Sequence, residues 1–80
     1  MLNHPDATLA LTMVPPGQRV RVVDIMAGQQ VNHRLAELGV IRGVELNILH
    51  DHNGPLILSV RDTRVVLERG VAHKIRVQPV

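Results

Sequence analysis

The sequence predicts a mainly β protein, a small barrel of five strands with one short inserted α-helix and a helical turn before the last strand. Hydrophobic residues make up 45% of the chain, yet it contains no Phe, Tyr or Trp. The core must therefore be built from aliphatic side chains, many of them β-branched, which suit a pleated and half-buried surface. These residues alternate with polar ones in short runs, the period of strands that turn one face inward. The alternation gives way to helical spacing once, between Gln29 and Leu38. Closing such strands into a barrel removes the edges that a flat sheet of this size would expose.

Eighty residues supply a single core, because a chain of this size buries only roughly 60% of its unfolded surface. Residues 1–8 are polar, contain Pro5 and are expected to form a flexible N-terminal segment, leaving residues 9–80 as the barrel domain. Leu9 to Val14 is apolar and predicts a short extended segment, ended by Pro15-Pro16-Gly17. In Arg19 to Ile25, Val20 and Val22 share one face before the phase shifts to Val23 and Ile25, which predicts a bulge near Val22. Val31, Leu35 and Leu38 fall at i, i+4 and i+7 and line the core face of a helix of two to three turns. Gly39 predicts its left-handed end, with Val40 just beyond returning to touch Leu35.

Val44, Leu46 and Ile48 point inward from a strand that ends near His50, and 51–55 is dense in turn residues. Leu56, Leu58 and Val60 resume the inward set, which makes a hairpin. Asp62-Thr63 predicts a second tight connection into a strand over 64–68. Arg69 to His73 reads as a helical turn and Lys74 to Val77 as the closing strand.

Composition excludes several functions. Without aromatic rings the chain lacks the usual platforms for proline-rich peptides and for stacked single-stranded bases. Without cysteine it has no disulfide, no thiolate metal site and no thiol nucleophile. No uninterrupted apolar span is long enough for a bilayer, and the first residues do not form a basic region followed by an apolar stretch, so a cytoplasmic location is expected. No carboxylate pair, nucleophile motif or phosphate loop points to catalysis, and the expectation is a protein that is not an enzyme. The net charge is +2, and the nine basic residues are spread along the chain rather than gathered in a block.

The order Pro16-Gly17, Val20 to Ile25, Arg34-Leu35-Ala36-Glu37-Leu38-Gly39-Val40-Ile41-Arg42-Gly43-Val44-Glu45-Leu46, Gly54-Pro55 and Ala72-His73-Lys74-Ile75-Arg76-Val77 resembles the FeoA family of bacterial ferrous iron transport. The resemblance runs from about Leu9 to Val77. It implies an SH3-like barrel, similar to the C-terminal domain of iron-dependent repressors. It also implies a regulatory role beside the membrane permease FeoB, exerted on its cytoplasmic GTPase-bearing region. Family members commonly carry Pro-Gly where this chain has Arg42-Gly43; Gly43 still supplies the positive φ that the second corner of a type II turn needs. A different reading stays open beside this one. Gly17 to Gly28 also looks like the strand-and-glycine signature of KOW modules, with arginines suited to RNA phosphates. A free-standing metal-binding or metal-sensing domain is the third.

Two sets of residues are candidates for sites. His50, Asp51 and His52 form the metal candidate, because residues i and i+2 of an extended segment face one way and imidazole suits divalent transition metals. No cofactor is required on this reading. The metal would be held weakly or shared between two molecules unless His4, His33 or His73 converges there; the competing reading is a plain polar hairpin loop. Leu49, Ile57 and Val66 fall on the face opposite the inward set and form either an apolar docking patch or a surface covered by the helix or terminus. Arg34 and Glu37 lie away from the apolar side of the helix, where they contact a partner or simply face water. The expected assembly is a monomer or weak dimer.

Overall fold

A computed structural model describes residues 8–80, so the segment expected to be flexible lies, apart from Thr8, outside the described residues. Alternation builds most of what is seen. The strands are β1 (Leu9–Ala10), β2 (Arg19–Ile25), β3 (Glu45–Asp51), β4 (Leu56–Val60), β5 (Thr63–Leu67) and β6 (Ile75–Pro79), with helices α1 (Gln29–Glu37) and α2 (Arg69–Ala72) between them. They make one antiparallel sheet in the order β1-β6-β2-β3-β4-β5. The inward residues of β2 to β6 all join one cluster, with Leu11, Val14, Leu35, Val40 and Ala72 closing its ends. A single sheet can feed one core in this way only by curling around it.

Two expectations are corrected here. The sheet has six strands, because Leu9 and Ala10 pair with Val77 and Arg76, while the following Leu11–Met13 turns into a short 3-10 helix instead of extending. The sheet is also not closed, since β1 and β5 are its two ends and no ladder joins them among the described residues. A two-residue strand is too short to extend the sheet far. Thr8 is tied to the same corner, with Arg76 Nη2 donating to its carbonyl at 2.8 Å and Arg76 Nε to its hydroxyl at 3.2 Å.

Local chemistry sets the irregularities. Register shifts between Val22 and Asp24 on β2, so Val23 is an extra residue and the phase change in the sequence is a bulge. A second bulge, unforeseen from the alternation, lies between Ile48 and His50 on β3 and makes Leu49 the extra residue. α1 ends in a Schellman motif, with the Val40 N–H donating to the Leu35 carbonyl at 2.9 Å and the Gly39 N–H to Ala36 at 3.0 Å. Gly39 has φ +88°, which glycine adopts without a Cβ penalty. The Arg42-Gly43 turn is closed from Val44 N–H to the Ile41 carbonyl at 3.2 Å, with Gly43 also at φ +88°. Arg42 braces it by reaching Asp24 Oδ1 at 2.9 Å.

The β4–β5 connection is Arg61-Asp62 rather than Asp62-Thr63, because Thr63 already pairs with Val60. Both turn residues have positive φ, +50° and +65°, as a two-residue type I′ hairpin demands.

Candidate docking face and histidine pair

The outer face of β3, β4 and β5 carries its side chains in rows. Asn47, Ser59 and Arg64 form a polar row, with Ser59 opposite both neighbours. In the next row Ile57 lies opposite His50 on one side and Val66 on the other. The bulge at Leu49 changes what this row presents. Simple alternation after Ile48 would return His50 to the inside, whereas Leu49 and His50 are both exposed. The result is an apolar strip across three strands: Leu49 is 37% exposed, Ile57 half-buried and Val66 61% exposed.

Val66 also forms one wall of a groove of about 260 Å³ between α1 and the β5–α2 corner. The α1 side supplies Val31, Arg34, Leu35 and Leu38, and the other side adds Leu67, Glu68 and Val71. Leu35 is buried and Val31 packs against the core, but Leu38, expected in the core with them, is 45% exposed. Its position explains this. Leu38 caps the helix just before the chain reverses at Gly39, so it faces the groove mouth instead of the sheet. Of the two polar candidates on α1, Arg34 lines the groove; Glu37 does not and instead faces His33 at 3.9 Å on the solvent side. Leu38 and Val71 are the residues that sequence reasoning missed, and the signal was the apolar residue directly before the helix-ending glycine.

The histidine pair sits where β3 runs into its hairpin. His50 Nδ1 and His52 Nε2 are 3.2 Å apart, with ring centroids separated by 5.3 Å and planes inclined by 34°. Asp51 does not join them. Its carboxylate is ion-paired with Arg69 of α2 and accepts the Asn53 N–H at 3.3 Å, so it anchors the hairpin to α2. His33 lies on α1, and His73 faces Thr12 at 3.4 Å. Among the described residues no group of three or more His, Cys, Asp or Glu converges on one point.

Much of the basic charge is engaged. Arg19 and Arg21 both reach Glu45, Arg42 reaches Asp24 and Arg69 reaches Asp51. The two arginines of the Gly17 to Gly28 segment, Arg19 and Arg21, thus already face a carboxylate, which weakens the RNA reading. No described helix is long and apolar enough to cross a membrane.

Comparison with known proteins agrees with this architecture. Residues 9–79 match the FeoA domain family. The "Putative Fe(2+) transport protein A" of Methanocaldococcus jannaschii is 34% identical over 68 residues, 85% of this chain and 83% of that protein. The crystal structure of an iron uptake regulatory protein, FeoA, superposes with a TM-score of 0.86 at 28% identity, covering 91% of this chain and 99% of that one. The solution structure of FeoA from Chlorobium tepidum gives 0.84 at 26% identity over 90% of this chain and 70% of its own. The IdeR structure from T. acidophilum shares the fold, with a TM-score of 0.86 at 21% identity, 99% of this chain and 37% of that chain being covered. With a family match over nearly the whole described chain, a relative above 30% identity and the same curled sheet, the chain belongs to the FeoA family, whose role is in ferrous iron transport.

Proposed function

We propose that the protein is a non-enzymatic cytoplasmic accessory of ferrous iron uptake that docks on the GTPase-bearing region of a FeoB-type permease and modulates its cycle. The observation that carries the docking face is the continuity of the Leu49–Ile57–Val66 strip with the groove beside α1. An outward row of a small sheet is normally polar, as Asn47, Ser59 and Arg64 are; in the neighbouring row Ile57 and Val66, beside the bulged Leu49, present apolar surface that runs into a concave edge. Arg34 on the groove wall adds a charge that fixes orientation more than it adds affinity. All side chains named for docking sit at the surface, so binding needs no opening of the core.

The test is a titration of isotope-labelled protein with the soluble domain of the permease from the same cell, with and without a GTP analogue. Saturable amide shifts at Leu49, Ile57, Val66 and Arg34 are expected, and Val66→Asp abolishes them while the unbound spectrum keeps its dispersion. Absence of shifts in every nucleotide state, or shifts confined to β1 and β6, contradicts the reading.

A further inference from the structure

We propose that His50 and His52 chelate one divalent transition metal ion and that a second copy of this chain completes the coordination with its own pair. The geometry of the pair carries the first half. Two imidazole nitrogens about 2.0–2.1 Å from a zinc-like ion, at a tetrahedral angle, lie about 3.3 Å apart, and at a right angle about 2.9 Å apart. The facing nitrogens of His50 and His52 are separated by 3.2 Å, within that interval.

The backbone holds this spacing. The Leu49 bulge turns His50 outward, and residue His52 follows at i+2 on the same side of the strand end. Between them Asp51 is fixed by Arg69 and by the Asn53 N–H, which prevents the segment from pivoting. Without metal, an N–H of one ring donates to the bare nitrogen of the other, and either His50 Nδ1 or His52 Nε2 can be the donor. With metal bound, both facing nitrogens offer lone pairs, so the ring that had been the donor carries its proton on its other nitrogen while its partner ring keeps its tautomer.

The unfilled positions carry the second half. Tetrahedral sites for such ions hold four ligands, and the pair supplies two. No further His or carboxylate among the described residues reaches it, and the carboxylate in between is spent on Arg69. Both rings are exposed at the end of the hairpin, beside the apolar Leu49. A two-fold axis through the ion brings the identical pair of a second molecule to the empty positions, the arrangement of a self-complementary dimer contact. The inference stands apart from permease docking, because its test uses this protein alone.

Untagged full-length protein is titrated with Zn2+, followed by calorimetry, sedimentation velocity and long-range 1H–15N spectra of the histidine rings. The expected result is one ion per two chains, a monomer converted to a dimer and restored by EDTA, and ring shifts at His50 Nδ1 and His52 Nε2. His50→Ala with His52→Ala abolishes all three changes, and His4→Ala leaves them intact. Any of four results overturns the proposal: no binding, one ion per chain without dimerisation, ring shifts at other histidines, or undiminished binding in the double variant.

Discussion

The curled sheet and α1 stand side by side but are held in different ways. In β4 the inward residues Leu56, Leu58 and Val60 are all 1% exposed or less, and each strand from β2 to β6 contributes to the same cluster. The nine residues of α1 contribute one buried side chain, Leu35, with Val31 packed at the margin. Its N-terminus has Gly28 at the cap and no side-chain hydrogen bond there, so its stability depends on Leu35 and on the Schellman end. The sheet thus provides rigidity, whereas α1 provides an adjustable wall for the groove it shares with Val66. On the proposed function, a docking surface shared by a sheet strand and a lightly anchored helix can adapt to its partner at little cost to the fold.

Substitutions sort along this contrast. The largest effect is expected in the sheet, where Leu58→Ala costs about 2–5 kcal/mol by chemical denaturation, because it opens a cavity that the surrounding strands cannot fill. Gly39→Ala is expected to cost about 1–2 kcal/mol. A Cβ there meets Val60 Cγ1 at an ordinary 3.7 Å, so the loss comes from the left-handed backbone and not from crowding. The combined change Arg61→Asn and Asp62→Gly should raise the midpoint of urea unfolding, by about 0.5–1 kcal/mol in stability, since Asn-Gly prefers the type I′ turn that these two residues now adopt. Val66→Asp should change stability by no more than about 0.5 kcal/mol, as an exposed site allows, while removing partner binding. A large loss of stability in Val66→Asp would show that this surface belongs to the core architecture instead.

The legible parts of the fold were those encoded by local period. Leu56, Leu58 and Val60, the phase change at Val23 and the glycine after Leu38 each carry their outcome within a few residues. What stayed hidden depends on distant partners. Leu9–Ala10 is too short to show a period and becomes a strand only because β6 offers Arg76 and Val77. The Leu49 bulge is set by register with β4, although it decides which way His50 points. Asp51 looked like a metal ligand in its His-Asp-His setting, and only the fold brings Arg69 to it. The hairpin at Arg61-Asp62 was misplaced by one residue because arginine seldom takes positive φ. Exposure of Leu49 and Val66 was readable as outward placement, but the groove that extends it needs α1 in position.

Amide hydrogen exchange across the whole chain, with and without the soluble permease domain, tests the central claim most directly. In the free protein, amides of α1 are expected to exchange well ahead of those in β2, β3 and β4, and addition of the domain should slow α1 and the outer row through Ile57 and Val66 while leaving β1 and β6 unchanged. If α1 is already as protected as the central strands, or if the domain protects a different face, then the lightly anchored helix and its groove are not the docking site.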